Sequence, residues 1–198
     1  MNDELKTRNW KLFWTINIIL LINTMVTIKE SDINIYLVDD DELLNKILRT
    51  KFEQAGGYKI YSFNNGESFL EHFVKRKFNK KQIHVVILDY LLKSSENPQA
   101  KNGIDILKTV REINPDVEVI MLSGIDDVDV AANAIKCGAV SFVRKNENSF
   151  LRIHNNVKFI ISEKRLKITK NQSYITQIIF FTLVACVILF SILYFFTE

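Results

Sequence analysis

Residues 83–89 read IHVVILD, a mostly apolar run of strand length that ends abruptly in a carboxylate. A Val/Ile/Leu run of this length, bounded by polar segments, suits a strand buried on both faces, as in a parallel sheet covered by helices. In that architecture ligands bind just beyond the carboxyl ends of the strands. Asp89 would therefore stand at the mouth of a crevice, attached to the most rigid part of the molecule.

The rest of the chain falls into a regular beat around this run. Residues 33–38 read as a strand, 42–55 as a helix stopped by Gly56 and Gly57, and 58–63 as a second strand. Asn64-Asn65-Gly66 is turn chemistry. Residues 67–78 carry Phe69, Leu70, Phe73 and Val74 at helical spacing and lead into 83–89. The polar stretch 90–102, YLLKSSENPQAKN, is longer than the usual strand-to-helix connection. Beyond it come a helix over 103–113 ended by Asn114-Pro115, a strand over 117–122, a helix over 126–137 ended by Gly138, and a short strand over 140–143. A last helix begins near Ser149, with Phe150, Ile153, Val157 and Ile160 on one face, and runs toward the apolar C-terminal segment. Five strand-and-helix units in succession predict an α/β fold, a five-stranded doubly wound parallel sheet with right-handed crossovers.

At 198 residues, 47% hydrophobic and 25% charged, the chain can hold one ordinary domain with appendages. A net charge of +3 gives no argument for nucleic acid, because the basic excess gathers beside an apolar segment. Two cysteines, Cys137 and Cys186, fit a reducing compartment better than a disulfide framework. Residues 174–196, YITQIIFFTLVACVILFSILYFF, carry no charge, and as a helix they would span about 34 Å, enough to cross a bilayer. Lys158, Lys164, Arg165, Lys167 and Lys170 precede this segment. Their positive-inside bias predicts a body facing the cytoplasm, held at the cytoplasmic membrane. Residues 12–28 are apolar too, but shorter and interrupted by Asn17 and Asn23, and the flanking Lys6, Arg8 and Lys11 conflict with that orientation. Three readings fit them: a span overruled in orientation by the C-terminal one, an interfacial helix on the inner leaflet, or sequence upstream of a true start at Met25.

The chemistry lies at the predicted strand ends. The first strand delivers Asp39, Asp40 and Asp41, the third Asp89, the fourth Ser123, and the fifth is followed by Lys145. All of these fall on one edge of a parallel sheet. Carboxylates crowded together cannot all stay ionised without a cation, and hard oxygen ligands with open positions suit magnesium. A lysine and a hydroxyl opposite them could receive the other charges of a phosphoryl group, whose transfer depends mainly on positioning and charge neutralisation. Plainer roles exist for each residue taken singly. Asp40 or Asp41 could cap the following helix, Ser123 could serve a turn, Lys145 could be a solvated charge, and Asp126, Asp127 and Asp129 suit a helix start. His72, His84 and His154 have no ligand spacing and read as surface or packing residues.

Four motifs, YLVDDD with Asp39-Asp40, VVILDY with Asp89, VIMLSG with Ser123 and SFVRK with Lys145, make residues 33 to about 160 resemble the receiver domain of two-component response regulators. The resemblance implies a flavodoxin-like sheet of order 2-1-3-4-5. It implies that Asp89 accepts a phosphoryl group from a histidine kinase or phosphotransfer protein. Mg2+ would be held by Asp40, Asp89 and the main-chain carbonyl of Leu91, with Asp39 acting through water. Ser123 and Lys145 would contact the phosphoryl oxygens, Ser123 and Phe142 would form the switch, and Gly103 matches the glycine that opens the third helix. Asn146 follows Lys145 where the family commonly carries a proline, which bears on how that lysine is aimed. Phe142 lacks the hydroxyl of a tyrosine.

The expected organisation is an apolar segment over 1–30, a receiver over 31–160, a basic juxtamembrane stretch over 161–173 and a transmembrane helix over 174–196. The expected role is a membrane-tethered signalling domain, not an enzyme, with output through protein interaction or a homodimer formed by the fourth helix, fifth strand and fifth helix. Two alternatives come from other classes. One is a haloacid dehalogenase-type hydrolase with Asp39 as nucleophile and Asp41 as acid, and the other is a receiver-like scaffold that is never phosphorylated.

Overall fold

The computed structural model describes residues 28–79, 81–92, 102–125 and 127–197. The apolar stretch at 12–28 therefore lies outside the described residues except for its last position, as do Asp126 and most of the long segment after Asp89. The chain divides into two units, Ile28–Lys164 and a second that includes Arg165–Glu198.

In chain order the elements are β1 (Ile33–Val38), α1 (Glu42–Ala55), β2 (Lys59–Phe63), α2 (Gly66–Val74), β3 (Ile83–Asp89), α3 (Gly103–Ile113), β4 (Glu118–Ser123), α4 (Val128–Lys136), β5 (Ser141–Arg144) and α5 (Ser149–Thr197). The strands form one sheet of order β2-β1-β3-β4-β5, parallel throughout. This is the expected architecture. β1 and β3 are buried along their whole length, as central strands covered on both faces must be, whereas the edge strands β2 and β5 are largely half-buried. Alternate residues feed two cores. Tyr36, Val38, Val86 and Leu88 pack with Phe69, Phe73, Ile106, Leu107 and Ala134, which come from α2, α3 and α4. The opposite parity, Ile35, Leu37, Val85 and Ile87, is buried as well, as are Leu48 and Phe52 of α1 and Ile153 and Val157 of α5. The Phe52 ring lies 5.5 Å from that of Phe150, joining α1 to α5.

Two expected boundaries shift for visible reasons. α2 ends at Val74 rather than at 78. Beyond it the chain turns so that Phe78 reaches the rings of Phe73 and His84 at 4.9 and 5.0 Å, while Arg76 covers the Tyr61 ring at 4.8 Å and donates to Asn34 Oδ1 at 2.6 Å. α4 starts at Val128 because the Asp127 carboxylate caps it, accepting from the Asp129 N–H.

Within the first unit α5 buries Ile153, Val157, Ile160 and Ile161. Lys164 fastens this stretch to the start of β4, its ammonium 2.6 Å from Glu118 Oε1 and 3.0 Å from the Asp116 carbonyl. In the second unit the described residues are helical, and Ile175, Phe181 and Leu189 are exposed. Among the described residues α5 is the one helix long and apolar enough to cross a membrane.

Candidate functional site

The loop after β1 is built almost wholly from its own polar groups. The last rung of the β1–β2 ladder is the Asp39 N–H donating to the Phe63 carbonyl at 3.2 Å. Asp39 Oδ1 then accepts from the Asp41 N–H at 2.9 Å, and Asp41 Oδ1 accepts from the N–H groups of Leu43 and Leu44 at 2.9 and 3.0 Å. Asp41 is thus the N-cap of α1, one of the plainer roles open to it, and the acid of a dehalogenase-type site would have to be drawn from a carboxylate already engaged in that cap. Asp39 and Asp40 are left to face the sheet edge.

At that edge Asp39, Asp40 and Asp89 bring carboxylate oxygens within 4.8 Å of one another, with Asp39 and Asp89 only 2% and 3% exposed and Asp40 open to solvent. Lys145 Nζ sits between two of them, 2.8 Å from Asp39 Oδ2 and 3.2 Å from Asp89 Oδ2. Its reach is kept without a following proline. The Lys145 N–H donates to the Ser123 carbonyl at 2.7 Å, and Asn146 opens α5 by accepting from the Asn148 N–H on its side chain and the Ser149 N–H on its carbonyl.

The electrostatics are unbalanced. Burial, then repulsion from Asp39, pushes the Asp89 carboxyl up to about 6 against an opposing pull from Lys145. Burial likewise raises Asp39. Burial alone would lower Lys145, but the two carboxylates outweigh it and hold the ammonium above its usual range. Three carboxylates against one ammonium leave two negative charges in the ionised cluster. Both oxygens of Asp39 are engaged, Oδ1 by the Asp41 N–H at 2.9 Å and Oδ2 by the Lys145 ammonium at 2.8 Å.

The remaining expected site residues lie around this cluster. Ser123 ends β4 next to β3, fully buried, with its hydroxyl accepting from the Ile125 N–H at 3.0 Å and its own hydrogen available to donate. Phe142, opposite Met121 in the β4–β5 register, is half-buried against the core on the α2–α3 side. Leu91 is exposed two residues beyond Asp89. Gly103 lies so close to the end of β3 that a Cβ would come within 2.3 Å of the Asp89 carbonyl oxygen and 2.9 Å of Tyr90 Cα, both backbone, and its N–H donates to the Tyr90 carbonyl at 3.1 Å. One residue escaped the sequence reading. Asn45 is buried on the inner face of α1 and donates to the Asp39 carbonyl at 2.7 Å. Its signal was a polar residue in helical register with Leu48 and Phe52.

The profile of the response regulator receiver domain matches residues 35–157, well over half of the chain. The chain belongs to the response regulator receiver family. A putative NtrX-like response regulator of Rickettsia felis is 28% identical over 68% of this chain and 25% of its own length. The chain thus spans about a quarter of the length of that relative. Among solved structures, the BeF3-activated DrrB receiver domain is 29% identical with a TM-score of 0.54, covering 65% of this chain and 97% of that one. The beryllofluoride-activated NtrC4 receiver domain dimer is 26% identical with a TM-score of 0.55, covering 66% and 98%. Receivers are signalling domains that accept phosphoryl groups in two-component systems and bind Mg2+ at an acidic pocket. The cluster in this receiver fits such an ion. Its donors are all hard oxygens lying within 4.8 Å of one another, and its ionised charge, with Lys145 counted, is that of one divalent cation with sign reversed.

Proposed function

We propose that this receiver, over residues 31–160, takes a phosphoryl group on Asp89 from a histidine kinase or a phosphotransfer protein. The observation that carries this reading is the Lys145 ammonium held between Asp39 and Asp89 at 2.8 and 3.2 Å, with Asp40 completing the acidic cluster. In the transfer, a carboxylate oxygen of Asp89 forms the new bond to phosphorus while the bond from phosphorus to the donor breaks, and the donor leaves with that electron pair. Lys145 offers its charge to a phosphoryl oxygen, and the Ser123 hydroxyl donates to another. Asp40, Asp89 and the Leu91 carbonyl would hold Mg2+, with Asp39 acting through water. The ion, when bound, supplies positive charge to the phosphoryl oxygens.

Engagement of Ser123 would draw on β4, and Phe142 on the neighbouring strand would follow, changing the surface made by α4, β5 and α5, through which the protein meets a partner or a second copy of itself. The segment 174–196 would anchor the chain in the cytoplasmic membrane, with the receiver on the cytoplasmic side and residues 161–173 as a basic link. The exposed apolar side chains of α5 and the lysines before them support that arrangement. Nucleic acid has no part in this reading.

The test is incubation of the full chain in detergent with acetyl phosphate and Mg2+, followed by mass mapping. The expected result is a single phosphoryl group on Asp89, absent from Asp89→Asn. Equal labelling of both proteins, or a label on Asp39, would refute it.

A further inference from the structure

A buried asparagine on the first turns of α1 has no evident business in a core of leucine and phenylalanine. Asn45 is 3% exposed, one turn before Leu48 and two before Phe52, which share its face. Burying an amide costs about 1–3 kcal/mol wherever its hydrogen bonds go unmade. Here Nδ2 meets acceptors from three segments: the Asp39 carbonyl at 2.7 Å, the Phe63 carbonyl at 3.1 Å and Asn64 Oδ1 at 3.4 Å. This sets the amide orientation, since the flipped form would press an oxygen against three oxygens. It leaves Oδ1 buried and without a partner among the described residues.

We infer that Asn45 is a positioning residue for the acidic cluster, fixing the backbone on which Asp39 and Asp40 are presented to Mg2+. This rests on reading that cluster as the Mg2+ site. The peptide unit is planar, so holding the Asp39 carbonyl fixes the plane that also contains the N–H and Cα of Asp40. The far side of Asp40 is tied by the Asp41 N–H to Asp39 Oδ1. Asp40 itself is exposed, and these two anchors, one from the side chain of α1 and one from the turn, hold it in register with Asp39 and Asp89. The same amide also bridges to the end of β2 through Phe63, so the acidic loop and the neighbouring strand end move as one piece. Removing the Asn45 amide leaves the Asp39 carbonyl at the strand end without this donor and frees the 39–40 peptide to rotate. An isosteric aspartate would put two acceptors against the same carbonyls.

The test is Mg2+ affinity by calorimetry, together with urea unfolding, on the full chain in detergent. Four proteins are compared: wild type, Asn45→Ala, the milder Asn45→Ser, and Phe52→Ala. Phe52 is fully buried on the same helix face, its ring set against those of Tyr58 and Phe150. Asn45→Ala is expected to weaken Mg2+ binding tenfold or more and Asn45→Ser by a smaller factor. Phe52→Ala, which loses at least as much stability, should stay within twofold of wild type. Asn45 variants that bind Mg2+ within twofold of wild type overturn the inference, and so does an equal loss in Phe52→Ala, which would make the effect one of general destabilisation. If Asn45→Ala does not fold, Asn45→Ser decides by the same criterion. A wild type that binds no Mg2+ overturns the metal-site reading itself, and this inference with it.

Discussion

His84 and Asp89 lie five residues apart on the same central strand, 5% and 3% exposed, and burial drives each toward its neutral form. Their surroundings then part company. At the amino end, burial and then the Arg76 charge lower His84 to about 4, and its Nδ1 shares a hydrogen bond of 3.1 Å with the Tyr36 hydroxyl inside a cage of Tyr36 and Phe78 rings. The neutral imidazole is the form that this cage suits. At the carboxyl end, Asp89 meets a second buried carboxylate and one shared ammonium, and its carboxyl is pushed up to about 6. The amino end holds one neutral ring whose Nε2 is buried without a hydrogen-bond partner among the described residues, while the carboxyl end gathers two buried carboxylates around one ammonium. The crowding of like charge thus falls at the carboxyl end of β3, and the strand between the two is wholly buried.

The largest expected effect tests whether the amino end is packing alone. Phe73 is fully buried against the rings of Tyr36, Phe69 and Phe78. Phe73→Ala should lower the free energy of urea unfolding by about 3–5 kcal/mol. Mg2+ affinity should stay within twofold, and a large loss of affinity would erase the separation between the two ends.

The next effect uses acid to set the ends against each other, with EDTA present so that no metal binds. Asp89 in the folded protein titrates above its ordinary 3.8, so its contribution to stability is full below about pH 4 and is lost as pH rises through about 6. His84 titrates below its ordinary 6.5, so its contribution is full above about pH 6.5 and is lost as pH falls through about 4. The two slopes oppose each other in one window. Relative to wild type, Asp89→Asn should gain stability as pH rises from 4 to 6, and His84→Gln should gain as pH falls through it. Each change should be on the order of 2 kcal/mol. Parallel curves for wild type and either variant would remove that residue from the comparison.

The smallest effect separates Asp41 from its acidic neighbours. As the α1 cap, Asp41→Ala should cost about 1 kcal/mol in urea unfolding. Mg2+ affinity should change less than threefold, whereas Asp40→Ala should lose tenfold or more at little cost in stability.

Much of this was legible in the chain because it depends on local pattern. β1, β3, α1 and α3 follow from unbroken apolar runs or periodicity stopped by glycine, a carboxylate or Asn114-Pro115, and the bounds of all four agree with expectation. The strand order came from the resemblance, since nothing in strand composition says which strand is central beyond the complete burial expected of β3. The end of α2 was misread because Phe78 extends the apolar pattern that a helix shows, although it turns back to pack on His84. Asn45 and the Lys164 clasp on Glu118 could not be read at all. Each depends on a partner brought close by the fold, at Phe63 for the one and at β4 for the other.

The contact of Gly103 with the end of β3 has a further consequence. The Gly103 N–H on the Tyr90 carbonyl at 3.1 Å pins the two ends of the intervening segment to each other beside Asp89, at a spot where a Cβ would strike backbone. A side chain at 103 would therefore have to wedge the start of α3 off the end of β3, carrying with it the backbone from which Asp89 projects.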